Sequence, residues 1–419
     1  MPDNYSLKKT DCVILAGGRG TRIKKFLGKY PKPMIKFNGK HFIQYIINKI
    51  SKYSFKRIIV LCGFRHKIIF QKFHKKKINF TEVICVKEKK LLGTGGALIN
   101  LKKLKVMNFL LVNGDTLFDI DIKSLINNVD KKKLGIIALT NNKNQKSEKL
   151  NNLILKNKIV EIGKNNSYMN GGVYYFKKNI FKYIKKKSSL ENDLLPSLVK
   201  KNKINGKIFK DFFIDIGSKY HLSKAEKKIK IKFKRPAAFL DRDGVVNYDY
   251  GYVHKFKDFK FKPGVLKGLK YLNKRNYYIF IVTNQAGIAK KKFTKEDFFN
   301  LHIKIKEKLS KQNIYFNDVQ YSPFHPKAKI KKYKKNSLTR KPGNKLIENI
   351  KLNWDIDLKK SFMIGDKESD KLSAYKSKLY FQYAQFDFLK QTKSIIKKFN
   401  GWLLIIINNF IFIVYKYLY

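Results

Sequence analysis

Arginine is scarce in this 419-residue chain, cysteine is nearly absent, and no apolar leader opens it. The cysteines Cys12, Cys62 and Cys85 are odd in number, widely spaced and set in apolar runs. That excludes a disulfide framework and reads as reduced core thiols of a cytosolic protein. Residues 1–10 are polar and lack the apolar centre of a secretory signal, so export is not expected. Acid is short as well: 30 Asp and Glu stand against 93 Lys and Arg, a formal charge of +63. A basic footprint can signal nucleic acid, because cationic side chains release counterions from phosphate backbones. Here the cations are spread along the whole chain and are nearly all lysine, as in proteins of AT-rich genomes. No nucleic-acid partner is expected; solubility or a weak preference for anionic surfaces are the other readings. Only eight arginines occur, and Arg19, Arg22, Arg242 and Arg340 fall inside the motifs below. A guanidinium fork grips phosphate in two places, where an ammonium is a point charge.

With 43% hydrophobic and 14% aromatic residues, the length suits two or three domains with substantial cores. From residue 11 to about 230, short apolar runs at 12–16, 57–62 and 109–113 read as buried strands, with helices at 41–50 and 124–129 between them. Such alternation argues for a parallel sheet covered by helices, with ligands at the C-terminal strand ends. Basic, Pro-terminated residues 227–236 read as a linker. A second pattern follows, with strands at 237–240, 278–282, 319–321 and 361–364 and a solvated lysine-rich loop at 327–335. No internal repeat is visible. The expected domains are 1–232, 236–398 and a hydrophobic tail, 399–419. That tail is broken by Asn408-Asn409 and is too short for a confident spanning helix, which needs roughly 20 apolar residues. It would pack on a domain, form a dimer contact or attach peripherally to a membrane.

In the first half, Leu15-Ala16-Gly17-Gly18-Arg19-Gly20-Thr21-Arg22 follows a predicted strand. Gly17, Gly18 and Gly20 let the backbone approach a triphosphate and form an anion nest, and Thr21 and Arg22 extend that grip. Prolines on both sides of Lys32, in Pro31-Lys32-Pro33-Met34, would hold it on a stiff extended segment. Its ammonium can then meet charge that develops on an α-phosphate. These motifs resemble those of sugar-1-phosphate nucleotidyltransferases. Leu92-Gly93-Thr94-Gly95-Gly96-Ala97 resembles the base-recognition loop of that family, which would put Gly93 and Gly95 against the nucleotide. Asn113-Gly114-Asp115-Thr116 and Phe213-Ile214-Asp215-Ile216-Gly217 match its metal carboxylates, Asp115 and Asp215, and imply magnesium. Met169-Asn170-Gly171-Gly172-Val173-Tyr174 resembles its sugar-binding loop, with Asn170 and Gly171 at the sugar. The Glu-Lys pair usual before that loop is replaced by Val160-Glu161-Ile162-Gly163-Lys164; Lys164 would keep its role while the carboxylate partner is displaced or missing.

In the second half, Asp241 and Asp243 follow a predicted strand in Phe239-Leu240-Asp241-Arg242-Asp243-Gly244-Val245. A carboxylate at a strand end can attack phosphorus and form an aspartyl-phosphate, while a second protonates the leaving oxygen and later activates water. Val282-Thr283-Asn284-Gln285, Arg340-Lys341-Pro342 and Gly365-Asp366-Lys367-Glu368-Ser369-Asp370 follow in order. The set resembles haloacid-dehalogenase-type phosphatases. The resemblance implies Thr283 on the phosphoryl group, Lys341 neutralising nucleophile and phosphate, and magnesium on Asp241, Asp366 and the backbone carbonyl of Asp243. Tyr250-Gly251-Tyr252-Val253-His254 and Asn284-Gln285-Ala286-Gly287-Ile288-Ala289 are similar to heptose-1,7-bisphosphate phosphatases. Arg340 would grip the second phosphate, with Asn284 and Lys367 also at the substrate. Enzymes of that kind usually carry a zinc held by three cysteines and a histidine. Here Ser322, Phe324, Ser337 and Thr339 occupy the ligand positions beside His325, so no zinc is expected.

The resemblances together imply an α/β protein of two Rossmann-like three-layer domains with mostly parallel sheets, nucleotidyltransferase first and phosphatase second. The implied product of the second domain, heptose 1-phosphate, belongs to the substrate class of the first. The first half most resembles guanylyltransferases of D-glycero-α-D-manno-heptose 1-phosphate. The expected partners are therefore heptose 1,7-bisphosphate, heptose 1-phosphate and a nucleoside triphosphate, GTP favoured. A mannose- or glucose-1-phosphate nucleotidyltransferase fused to a sugar or histidinol phosphatase stays open, as does a membrane-docked or polyanion-binding scaffold with relic domains.

Overall fold

The computed structural model describes residues 7–141, 153–156, 158–163 and 168–401. The chain divides into two compact units, Met1–Lys232 and Phe233–Tyr419. All three cysteines are buried and none is in a disulfide.

In the first unit the sheet strands are β1 (Asp11–Leu15), β2 (Ile58–Cys62), β3 (Lys76–Ile78), β4 (Thr81–Lys87), β5 (Phe109–Asn113), β6 (Gly135–Thr140), β7 (Leu153–Lys156), β8 (Ile159–Ile162), β9 (Met169–Phe176) and β10 (Ile204–Phe209). They lie in the order β7-β8-β10-β6-β9-β5-β1-β2-β4-β3. The run β5-β1-β2-β4 is parallel throughout. The three inner strands of that run, β5, β1 and β2, are largely buried on both faces, as in a parallel sheet covered on both sides, while β4 alternates. Beyond β5 the sheet is extended by antiparallel β9, whose ladder to β6 is broken between Asn170 and Tyr174. The expected strands 12–16, 57–62 and 109–113 correspond to β1, β2 and β5, and the expected helices to Phe42–Ser51 and Ile122–Asn127. The phases of Val13, Leu61, Phe109, Leu111, Tyr174 and Phe176 meet in one core.

Residues 227–236 do not form a free linker. A helix runs from Lys219 to Phe233 and leaves only three residues before the next strand. Ala225, Ile229 and Phe233 recur every fourth residue and are buried, so a lysine-rich segment still carries an apolar stripe. The proline read as a linker mark, Pro236, stands just beyond the helix end.

The second unit holds a parallel sheet of β11 (Ala237–Leu240), β12 (Tyr278–Asn284), β13 (Asp318–Ser322), β14 (Phe362–Gly365) and β15 (Tyr380–Tyr383), ordered β13-β12-β11-β14-β15. Every neighbouring pair in it is parallel. Phe239, Phe280, Met363 and Trp354 pack in its core. Residues 327–335 form a loop with one short turn, Lys331–Tyr333. Phe399, at the start of the tail, is buried with its ring 5.5 Å from that of Tyr380. The rest of the tail, 402–419, lies outside the described residues, as does Lys164. Among the described residues no helix is long and apolar enough to cross a membrane.

Candidate active sites

The glycine turn of the first unit leaves β1 at its C-terminal end, beside the end of β5. Gly20 has φ +62, a left-handed conformation that a Cβ would strain, and an added Cβ would lie 2.9 Å from Leu27 Cδ1. A cleft of about 290 Å³ opens there, and Gly17, Gly18, Arg19, Lys32, Gly93 and Asp115 line it with Glu88 and Glu191. Glu88 and Glu191 carried no signal in the sequence, since neither stands in a motif that points to chemistry. Arg22 and Thr21 stand exposed in the turn Thr21–Ile23 and are not among the lining residues, nor are Gly20 and Gly95.

Lys32 is not on an extended segment. Lys32–Met34 is a 3-10 turn opened by extended Pro31, and Lys32 is buried. Pro33 fits there because the first N–H groups of a helical turn have no internal partner. The turn delivers Lys32 Nζ to Asp115 Oδ2 at 2.5 Å. Residues Thr116–Phe118 and Phe213–Asp215 pair antiparallel with Asp215 opposite Thr116, which sets the two carboxylates side by side. The Thr116 hydroxyl lies 3.3 Å from Asp115 Oδ1 and 3.2 Å from Asp215 Oδ2. Asp215 also accepts the Gly217 N–H. Burial opposes ionisation of Asp115, but the Lys32 ammonium outweighs it and holds the carboxyl below its usual range. Asp215 is pushed up, first by burial and then by the charge of Asp115. Two carboxylates served by one ammonium form an oxygen donor set that suits a hard divalent cation such as magnesium.

Asn170 turns inward. Its Nδ2 donates to Tyr174 Oη at 2.6 Å and its Oδ1 accepts the Gly172 N–H at 2.9 Å, so both ends brace the irregularity in β9. Gly171 is packed against Phe118, whose ring carbon would lie 2.4 Å from an added Cβ.

In the second unit, Asp241 follows β11 and is tied by its N–H to Ile364 O at 3.0 Å. Lys341 Nζ lies 2.9 Å from Asp241 Oδ1, 2.5 Å from Asp370 Oδ1 and 2.8 Å from the Val282 carbonyl, with its side chain 1% exposed. Burial lowers the affinity of Lys341 for its proton, but Asp241 and Asp370 more than restore it. Asp241 itself is raised to about 7, by burial first, with Lys341 opposing and Asp370 and Asp243 adding. Asn284 closes on Lys341 from both sides: its Nδ2 donates to Lys341 O at 3.1 Å and its Oδ1 accepts the Lys341 N–H at 3.0 Å. The structure thus places Asn284 behind the lysine.

Asp243 is gripped by its neighbours. Arg242 Nη2 lies 2.8 Å from Asp243 Oδ2, while Asn247 Nδ2 and Gln285 Nε2 each donate to it at 3.0 Å. Burial would raise it, yet Arg242 and these donors hold it below its usual range. Thr283 is buried, and its Oγ1 accepts from Gln285 Nε2 at 2.9 Å. Oxygens of Asp241, Asp366 and Asp370 lie within 4.8 Å of one another. Asp366 Oδ1 is buried without a hydrogen-bond partner, and burial raises the Asp366 carboxyl. An orphaned carboxylate oxygen within an all-oxygen set fits magnesium. Asp370, given no role in the sequence reading, stands four residues after Asp366, about one helical turn. Gly244, at φ +82, lets the backbone close on Asp366, whose Oδ2 would lie 2.4 Å from a Cβ. Lys367 Nζ is 3.6 Å from Asp249 and 3.7 Å from Asp366 at the exposed rim. Arg340 Nη1 donates to Phe324 O at 3.4 Å.

Three of the residues at the positions read as zinc ligands meet. Thr339 Oγ1 lies 3.1 Å from Ser322 Oγ and 2.8 Å from Ser337 Oγ, so hydroxyl bonds join β13 to the segment before Arg340. His325 Nδ1 accepts the Lys327 N–H at 3.0 Å.

Residues 11–231 match the Nucleotidyl transferase family, and residues 241–396 match the family described as Polynucleotide kinase 3 phosphatase. The chain is 39% identical over 137 residues to a D-glycero-beta-D-manno-heptose-1,7-bisphosphate 7-phosphatase of Rhodopseudomonas palustris, covering 33% of this chain and 76% of that protein. It is 40% identical over 144 residues to the protein of the same name from Photorhabdus laumondii, covering 34% and 77%. Among solved structures, HddC from Yersinia pseudotuberculosis is 28% identical, with a TM-score of 0.44 over 52% of this chain and 99% of that one.

Proposed function

We propose that this chain, which belongs to the nucleotidyl transferase family through residues 11–231 and to the D-glycero-beta-D-manno-heptose-1,7-bisphosphate 7-phosphatases by its likeness to curated relatives, performs two consecutive steps of nucleotide-activated heptose synthesis. It is a nucleotidyltransferase joined to a phosphatase. The second unit removes the C7 phosphate of heptose 1,7-bisphosphate, and the first transfers GMP from GTP to the resulting heptose 1-phosphate, releasing pyrophosphate.

The observation that carries the reading is the pair of carboxylate-and-lysine centres, each at the C-terminal ends of neighbouring parallel strands. In the phosphatase step an Asp241 oxygen forms a bond to phosphorus as the bond to O7 breaks. Asp243, held ionised by Arg242 in the free protein, takes a proton from the phosphate monoester as it binds and gives it to O7. Asp243 then takes a proton from water, whose oxygen displaces Asp241 and frees inorganic phosphate. Lys341 holds Asp241 in position and offsets its charge. Magnesium, when bound by Asp241, Asp366 and Asp370, would supply the positive charge that a transferring phosphoryl group needs. In the transfer step a phosphate oxygen of the sugar attacks the α-phosphorus and pyrophosphate leaves. No protein nucleophile is required, so positioning by the glycine turn and the charge of Lys32 are what the first unit contributes. Magnesium on Asp115 and Asp215 would serve the same end there.

The test is a time course, by mass spectrometry, with each anomer of heptose 1,7-bisphosphate, GTP and magnesium. Heptose 1-phosphate followed by GDP-heptose is the expected order. Phosphate release with no nucleotide sugar under any of the four triphosphates would require another sugar for the first unit. The anomer is part of the test, because the phosphatase relatives are named for the β form and the guanylyltransferase resemblance points to the α form.

A further inference from the structure

The two carboxylates of the first centre stand on a slight support. Thr116–Phe118 and Phe213–Asp215 pair over three residues each and form a sheet of two strands. Two strands by themselves are marginal in water, so such a ribbon keeps its shape only where its surroundings fix it. At the near end the Thr116 hydroxyl joins Asp115 to Asp215, and the Ile216 N–H donates to Asp115 O at 3.0 Å. The far end is held by charge.

Lys49 reaches that end from the helix Phe42–Ser51, with its side chain 8% exposed. Ile46, Ile47 and Ile50 of the same helix are buried, so the core there is already filled by apolar side chains. Lys49 Nζ donates to the Phe118 carbonyl and lies 3.5 Å from Asp119 Oδ1. Asp119 directly follows the ribbon. Its N–H donates to Phe212 O at 2.8 Å, and its Oδ2 lies 2.8 Å from Lys232 Nζ. Burial opposes ionisation of Asp119, but Lys49 and then Lys232 outweigh it and hold the carboxyl at about 2. Burial also draws Lys49 down to about 8, with Asp119 acting against it. An ammonium so enclosed needs close partners, and here the partners are the last carbonyl of the ribbon and the acid after it. The Phe118 ring is fixed as well, edge-on to Phe213 at 5.3 Å.

We propose that Lys49 is a positioning residue of the transfer centre, anchoring the ribbon so that Asp115 and Asp215 keep the spacing one divalent cation requires. The assignment rests on the nucleotidyl-transfer reading above. Phe118 stands three residues from Asp115, roughly 10 Å along an extended strand. Lys49 therefore acts on the carboxylates through the backbone between them. Magnesium accepts little departure from octahedral geometry, so its affinity responds to small changes in that spacing. Groups that orient metal ligands from behind change affinity by about tenfold or more when removed.

The experiment uses the full chain. Manganese binding is followed by the EPR signal of the free ion, in a chain carrying Asp366→Asn so that the first centre dominates. Magnesium dependence is followed as pyrophosphate release from GTP and heptose 1-phosphate, with phosphate release from heptose 1,7-bisphosphate as the internal control. Lys49→Met should raise the manganese dissociation constant, and the magnesium needed for half-maximal pyrophosphate release, by about tenfold or more. The magnesium requirement of phosphate release should not move, and Lys49→Arg should restore most of the loss. Asp119→Asn should shift both constants the same way by less, and it decides the matter if Lys49→Met does not fold. Constants unchanged in the folded variants, or an equal shift in phosphate release, would overturn the role of Lys49 while leaving the transfer reading intact. No pyrophosphate from the unaltered protein with any triphosphate would sink the transfer reading, and this assignment with it.

Discussion

The two units solve one electrostatic problem with different degrees of enclosure. In the first, one ammonium faces two carboxylates, and the Asp115 side chain keeps 32% of its surface open. In the second, Lys341 lies between Asp241 and Asp370, the first open to only 8% and the second to none, while Asp366 meets Lys367 at the rim. The difference follows from the chemistry proposed for each. A centre that aligns two substrates must admit a large nucleotide, and it can leave its acids at the edge of a cleft. A centre whose own carboxylate attacks must keep stray water away from the intermediate and fix the nucleophile against its neighbours. Enclosure in turn raises the cost of unpaired charge, which is why Lys341 spends its contacts on two carboxylates and a carbonyl while Lys32 has Asp115.

The comparison breaks most sharply at the acids themselves. Asp241→Asn should cut phosphate release by about 10³-fold or more while leaving pyrophosphate release intact, and Asp115→Asn should do the reverse. Separate assays of the two products check this, and loss of both activities from either change would end the picture of independent centres. Next come the lysines. Lys341→Met strands two buried carboxylates and should destabilise the second unit by about 3–5 kcal/mol, whereas Lys32→Met, at a more open site, should cost well under that. Urea melts of each variant measure the contrast, and equal losses would refute it.

A third expectation concerns acidity. Asp241 titrates near 7 in the folded protein, above its ordinary carboxylate value. The folded state therefore holds a proton that the unfolded state releases between about pH 4 and 7. Without divalent cations this group's contribution favours folding at low pH and fades as pH rises through 7. Comparing melts of the metal-free protein and Asp241→Asn across that window isolates it, and magnesium should flatten the difference. The smallest effect belongs to Thr339→Val, which removes the bonds to Ser322 and Ser337 and should cost about 1–2 kcal/mol. Its phosphatase KM should rise more than kcat falls, since the segment it secures leads to Arg340.

Much of this was legible in the residues. Apolar runs ending in glycine or aspartate located β1, β5 and β11 nearly to the residue, because a buried parallel strand needs apolar side chains on both faces and its ligand end needs small or acidic ones. What stayed hidden has physical causes. Antiparallel β9 and the parallel pair β6 and β10 join the sheet across long sequence separations that no local pattern records. The segment 227–236 read as a linker because lysine dominated its composition, while Ile229 and Phe233, in phase with Ala225 before it, give its helix a buried stripe. Lys32 was placed on an extended stretch because proline at 33 disfavours helix before it, but the opening of a short turn tolerates that proline. Asp370 acquires meaning only from a neighbour brought in by the fold, Lys341.

The hydroxyl contacts among Ser322, Ser337 and Thr339 carry a consequence for the conditions under which this enzyme works. A clasp of thiolates can be oxidised to sulfenic acid or disulfide, whereas serine and threonine offer peroxide nothing to attack. The loop that leads to Arg340 and Lys341 should therefore keep its shape under oxidative stress.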